Sequence, residues 1–275
     1  MTVSSVVLNV AALTDTGLKR AANEDSVLAV SPVFLVADGM GGHEAGDRAS
    51  AAVVAAFEPL AGIAVGVDDI RVALGRAAAV VEAIAAEHRQ GAGSTVAGAA
   101  LVEHEGVPHW LVFNVGDSRV YRHHANELEQ LTVDHSLGQE LVDAGELRPE
   151  DLATFAQRNI ITRAIGATDS AADSWLVPVI DGERLLLCSD GLSGEVSDEA
   201  IRATLTMCGR PETAAAALVL RALQAGGRDN VSVVVVDVVS GGLRAGRDDD
   251  TAGRLAVSIG TETMLEGTTV PVRVR

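Results

Sequence analysis

The chain has 275 residues, 48% of them hydrophobic, with a formal net charge of −17 and two cysteines. That length and apolar content suffice for one large αβ domain, while the negative charge argues against nucleic acid or an anionic membrane as partner. Cys188 and Cys208 lack the spacing of a disulfide framework or a zinc site, so any metal here must be held by oxygen. No apolar stretch approaches the ~20 residues of a membrane span. The opening residues 1–13 lack the basic start and cleavage site of a signal peptide. A cytoplasmic monomer is the expectation.

Residues 6–13 alternate loosely and 27–37 are almost continuously apolar, which predicts an opening β-hairpin-like pair. The loop between them carries Arg20 and Asn23-Glu24-Asp25. Two Ala-rich stretches, 47–60 and 68–89, place apolar residues at helical spacing and begin with Asp47 and Asp68, both suited to helix capping. Residues 95–103, 108–115, 119–123 and 127–131 read as short strands joined by turns, an antiparallel meander. Short helices are expected at 136–144 and 149–156, inside a polar insertion spanning 134–160. Stronger helices follow at 197–207, capped by Ser197, and at 211–225, before a last strand at 231–239. This order of elements predicts an α+β layered sandwich, with residues 1–239 as one catalytic domain. Residues 240–275, with a Gly-rich start, Asp248-Asp249-Asp250 and scattered Thr, read as a linker or tail without a core, although Val270 to Val274 alternates enough for an edge strand.

Twice an apolar run ends abruptly in Asp-Gly: residues 33–37 before Asp38-Gly39, and 185–189 before Asp190-Gly191. A third acid, Asp229, stands just before the apolar run 231–239. Carboxylates that converge from strand ends repel one another unless a cation holds them. Asp beside a Gly whose bare carbonyl is open offers oxygen ligands to a hard divalent cation. Asp-Gly alone commonly marks a turn. Three such junctions together favour a metal centre.

Five segments then stand in a telling order: Arg20-Ala21-Ala22-Asn23-Glu24-Asp25-Ser26, Asp38-Gly39-Met40-Gly41-Gly42-His43, Gly116-Asp117-Ser118-Arg119, Ser189-Asp190-Gly191-Leu192 and Asp229-Asn230-Val231-Ser232-Val233. In order and approximate spacing they resemble bacterial members of the metal-dependent protein phosphatase 2C family, over about Ala11 to Asp237. The resemblance implies a four-layer αββα sandwich of two antiparallel sheets flanked by helices. It also implies that Asp38 bridges two divalent cations, Mn²⁺ or Mg²⁺, with the Gly39 carbonyl on one of them. Asp190 and Asp229 would bind the first cation and Glu24 the second, partly through water. Asp25 would orient water, Asp117 with Asp190 would form a weaker third cation site, and Arg20 would grip the substrate phosphate. By itself Asp117 reads as turn chemistry.

Two departures from the family pattern are visible. Met40 stands where some members carry a His proposed as proton donor, which leaves water on a cation as the simplest donor. Phe155-Ala156 stands where relatives usually begin with His-Pro. His43 reads as a solvated loop side chain. The implied activity is hydrolysis of phosphoserine and phosphothreonine in proteins by a water activated between two cations, opposing a bacterial Ser/Thr kinase. Arg20 would give a double hydrogen bond to phosphate oxygens. Two alternatives compete: a pseudophosphatase that binds a phosphoprotein without hydrolysis, and a hydrolase of small phosphoesters. The full set of acids opposes the first, and the polar insertion suits a macromolecular substrate better than the second.

Overall fold

Continuous apolar runs in this chain are strands buried on both faces, whose alternate residues serve two different cores. The computed structural model describes residues 6–41, 44–244 and the backbone of 255–256. In β3 (Val33–Gly41), Val33, Leu35 and Ala37 face one core while Phe34 and Val36 face another. In β11 (Val231–Ser240), Val234, Val236 and Val238 share that second core, and Val231, Val233 and Val235 face a third. Three cores separate four layers.

One sheet runs in the order β1 (Val7–Asp15), β11, β10 (Arg184–Cys188), β7 (Arg119–His124), β8 (Glu127–Gln130). The other runs β12 (Leu255–Ala256), β9 (Asp173–Pro178), β6 (Val107–Val115), β5 (Val96–His104), β3, β2 (Asp25–Val30), with β4 (Ala92–Ser94) pairing the end of β3. Helices α1 (Glu44–Phe57) and α2 (Val67–Glu87) cover the second sheet through Val53, Phe57, Ile70 and Val81, with Phe57 stacked on Phe113 at 5.4 Å. Between the two stands the middle core, which contains Trp110 and Leu187. The short α3 (Leu137–Asp143) and α4 (Asp190–Ser193) precede α5 (Asp198–Met207) and α6 (Pro211–Ala225), which cover the first sheet through Ile201, Leu205 and Leu218. This is the expected sandwich of two antiparallel sheets with helices outside.

Several local expectations change. The opening strand does not pair with its neighbour in sequence: β1 pairs β11, with Ala11 opposite Val235, and the run 27–37 is itself the hairpin of β2 and β3 around Ser31-Pro32. Periodicity cannot show a turn inside a continuously apolar run. Asp47 and Asp68 are not caps; they lie in the first turns of α1 and α2, where acids oppose the positive end of the helix dipole. At α2 it is Asp69 Oδ2 that accepts from the Gly66 N–H, at 2.8 Å. The meander is split, because the chain crosses from one sheet to the other between β6 and β7. Residues 149–154 form a 3₁₀ turn, and β9 was not foreseen. Among the described residues past 239, Leu243 N donates to Val179 O and Gly242 N to Asp181 Oδ1, each at 2.7 Å, and residues 255–256 pair with β9. The Asp248–Asp250 run and Val270–Val274 lie outside the described residues.

The two sheets are also joined by a polar clamp at the end of β10 away from Asp190. Glu183, 1% exposed, accepts at Oε1 from Trp110 Nε1 (2.7 Å) and from Ile180 N (3.0 Å). Burial pushes its carboxyl from 4.5 up to about 7; the two donors and Arg122 pull it down, and Glu129 adds a smaller push upward. A raised folded-state value means that the clamp contributes fully below pH ~4.5 and loses its contribution as pH rises through about 7. Glu183→Gln keeps an acceptor oxygen for both donors and removes the charge. Its stability relative to the parent should therefore rise by roughly 3 kcal/mol between pH 4.5 and 8. Urea unfolding of both chains across that range measures this, and parallel pH profiles would refute it.

Candidate active site

The ends of the doubly buried strands form a mouth between the two sheets, and the acids singled out in the sequence are gathered there. Asp25 on β2 and Asp38 on β3 are direct cross-strand partners. Their strand neighbours Val27 and Val36 point into the middle core, so both carboxylates face the interior of the sandwich at its rim. From the opposite sheet come Asp190, the first residue of α4 immediately beyond β10, and Asp229, just before β11. Asp117 sits in the crossing between β6 and β7. Gly39 is required by close approach: a Cβ there would overlap the carbonyl oxygens of Gly46 in α1 and of Glu24. A side chain at Gly46 would likewise meet the Glu24 carboxylate, so paired glycines let helix and loop close around Glu24.

Crowded acids raise one another's proton affinity. Burial lifts Asp38 well above the usual carboxylate range, and Asp25, Asp190, Asp117 and Asp229 add to it in that order. Asp117 is likewise well raised, by burial and then Asp190 and Asp134. Burial and Asp229 raise Asp190 against the opposing hydrogen bond to Asp38. Asp25 reaches about 6 through burial, moderated by Ser232 and Ser189, whose Oγ donates to Oδ2 at 2.8 Å. Oδ1 of Asp25, of Asp117 and of Asp190 is buried without a hydrogen-bond partner. Buried carboxylate oxygens normally have partners. Among the described residues no three His, Cys, Asp or Glu side chains already close a coordination sphere. Small hard cations do not need that, since Mg²⁺-like ions keep several waters and use one or two carboxylates each. Orphaned oxygens, mutual repulsion and an all-oxygen donor set therefore fit such cations.

Arg20 reaches this mouth from its loop, with Nη2 2.6 Å from Asp229 Oδ2 and half of its side chain exposed. The loop is held by Asn230, which the sequence reading passed over. Its Nδ2 donates to Thr16 O and Ala22 O, each at 2.9 Å, and its Oδ1 accepts from Glu24 N at 2.8 Å. One buried amide thus fixes the loop carrying Arg20 and Glu24 to the strand that follows Asp229. Thr95 was also missed: its N–H donates to Asp38 O (2.8 Å) and its Oγ1 accepts from Asp38 N (3.0 Å). The available signal was a polar residue at the mouth end of an apolar strand, Asn230 before β11 and Thr95 before β5. Met40 pairs with Gly93 across β3 and β4, and no acid or base occupies its position. His43 lies outside the described residues. Beside Asp117 and Asp190 a small cleft is walled by Arg158 and Asn159 of the inserted segment.

Known proteins share this fold. Serine/threonine protein phosphatase PstP of Mycobacterium tuberculosis is 40% identical over 243 residues, which is 86% of this chain and 46% of PstP. The chain thus spans about half the length of that relative. Protein phosphatase PhpP of Streptococcus pneumoniae is 33% identical over 249 residues, 84% of this chain and 98% of PhpP. The crystal structure of the PstP catalytic domain in complex with two manganese ions superposes with a TM-score of 0.77 at 36% identity, covering 86% of this chain and all of that one. A profile of the family described as Protein phosphatase 2C matches residues 20–223, and the chain belongs to the protein phosphatase 2C family.

Proposed function

We propose that this chain is a metal-dependent protein serine/threonine phosphatase, hydrolysing phosphoserine and phosphothreonine monoesters in proteins. The observation that carries this reading is the set of raised, partly orphaned carboxylates at the sheet mouth with an exposed guanidinium beside them. Asp38, Asp190 and Asp229, with Glu24, Asp25 and the Gly39 carbonyl, would hold two divalent cations, and Asp117 with Asp190 a weaker third. The two manganese ions bound by PstP support that assignment. Bound there, such cations supply Lewis acidity and charge neutralisation for in-line attack of water on phosphorus.

The protein's own groups do the remaining work. Arg20 exchanges its contact with Asp229 for phosphate oxygens, presenting a planar fork to an anion that the acids would otherwise repel. Asp25, with Oδ2 fixed by Ser189 and Oδ1 without a hydrogen-bond partner, would orient the water that attacks. The names of PstP and PhpP support a protein substrate, and the partner would be a Ser/Thr kinase or its targets in the cytoplasm. Among the described residues no helix is long and apolar enough to cross a membrane. Residues 1–239 would supply all of the chemistry.

Phosphate release from a phosphothreonine peptide, with and without Mn²⁺ and against a small aryl phosphate, tests the activity. Release should require Mn²⁺ and favour the peptide. Asp38→Asn should lower kcat at least ~100-fold, equivalent to several kcal/mol of transition-state stabilisation. In EDTA its melting temperature should equal or exceed the parent's, because one of the mutually repelling charges is gone; near-normal turnover would remove Asp38 from the centre. Arg20→Ala should raise KM for the phosphopeptide by ~10–100-fold, from loss of a charge-assisted contact of roughly 1.5–3 kcal/mol. Mn²⁺ affinity should hold or improve as Asp229 is released. An unchanged KM would take Arg20 out of substrate binding.

A further inference from the structure

His135 lies in the segment that leaves β8 for the insertion, 5% exposed, and both its backbone and its ring are bonded to the turn that carries Asp117. Gly116 O accepts from His135 N (2.9 Å) and from Asn114 Nδ2 (3.0 Å), and Gly116 N donates to His135 Nδ1 (3.2 Å). A backbone N–H can only donate. The bonding pattern therefore assigns the lone pair to Nδ1 and the ring proton to Nε2. That proton has its acceptor in Asp173 Oδ2 at 3.2 Å. Arg163 Nη1 approaches Nε2 at 3.3 Å but is itself a donor, and its acceptor is Asp173 Oδ1 at 3.1 Å. Two donors thus converge on one carboxylate, and they hold Asp173 below the usual range, His135 the larger influence.

Gly116 has no slack: its φ is +102°, and a Cβ there would strike the Thr95 side chain. Asp117 is buried with Oδ1 unpartnered, so no contact at that oxygen fixes its direction. We infer that His135 is a positioning residue for Asp117: its neutral ring, oriented by Asp173, locks the Gly116 peptide and so aims the Asp117 carboxylate at a cation. This rests on the proposed metal-dependent reading of the site, in which Asp117 is a ligand. Partners one shell out from a metal commonly set ligand direction, and their loss costs ~10–100-fold in affinity.

Two near-isosteric substitutions separate the two sides of the ring. His135→Asn places an amide oxygen where Nδ1 stands and keeps the Gly116 bond, whereas His135→Gln reaches the Nε2 position and keeps only Asp173. Calorimetric titration with Mn²⁺, on the full chain and alongside Asp117→Asn, reads the outcome. His135→Gln should weaken the same binding step as Asp117→Asn, by about tenfold or more. His135→Asn should stay close to the parent, and adding His135→Gln to Asp117→Asn should change nothing further. Equal losses in both His135 variants, a full additional loss in the double variant, or no effect of Asp117→Asn on Mn²⁺ would each overturn the inference. If His135→Gln fails to fold, Asp173→Ala at its half-exposed site gives the second handle. Without an acceptor at Nε2 the tautomer is no longer fixed, so the same step should weaken, and unchanged affinity would overturn the inference. Phosphopeptide turnover is followed in parallel. A parent chain that binds Mn²⁺ but releases no phosphate defeats the phosphatase reading while the binding comparison still judges His135.

Discussion

Repulsion among the acids at the mouth of the two sheets is the constraint around which the rest of the molecule is arranged. Asp25, Asp38, Asp117, Asp190 and Asp229 are brought together by backbone that has no freedom to separate them. Asp25 and Asp38 are fixed as cross-strand partners, Asp190 by the helix that starts directly after β10, and Asp117 by the crossing between sheets. Asp25, Asp38, Asp117 and Asp190 are all held above their ordinary proton affinity. Such an arrangement opposes folding, and it persists because the surrounding structure over-determines it. Three packed cores, with strands such as β3 and β11 committed to two of them at once, provide that excess.

The same economy of position separates the arginines near the site. Arg119 is pinned on several sides: its guanidinium contacts both oxygens of Asp134, Nη2 at 2.7 Å, and donates to the Tyr121 hydroxyl at 2.8 Å, with little of the side chain exposed. Releasing it would strip a nearly buried carboxylate of its charged partner, leaving it only the Gln130 amide. Arg20 is held by an ion pair to Asp229 at the edge of solvent. On the proposed reading, an incoming phosphate would recruit Arg20 at the loss of a single exposed ion pair, which is worth little in water, while Arg119 stays bound to Asp134 and Tyr121. What keeps Arg20 in reach is Asn230, whose three hydrogen bonds hold its loop from below.

Much of this was legible in the chain because two independent signals coincide at Asp38 and Asp190: an apolar run stops, and the stop is an acid followed by glycine. The layered architecture was legible for a related reason, since runs such as 231–239 are too continuous for a one-sided strand. Pairing was not. Nothing local in β1 marks β11, more than 200 residues away, as its partner, and the turn at Ser31-Pro32 hides between two apolar strands. Asn230, Thr95 and His135 escaped for the same physical reason. Each acts through hydrogen bonds to backbone groups brought near by the fold, at Ala22, Asp38 and Gly116, and side-chain type alone does not name a partner.

On the proposed reading, an acidic chain that accepts a phosphate group has to reverse its own field locally. With a net charge of −17 the body of the chain repels phosphate at long range, and the acids of the mouth repel it at short range as well. Arg20 alone cannot outweigh five carboxylates. Divalent cations held by these acids would, because each brings two positive charges, and they would attract the phosphate that the acids by themselves repel. The cluster that makes the site unfavourable when empty of positive charge is therefore what couples cation binding to substrate binding. Affinity for the anion exists only to the extent that the acids have first been neutralised.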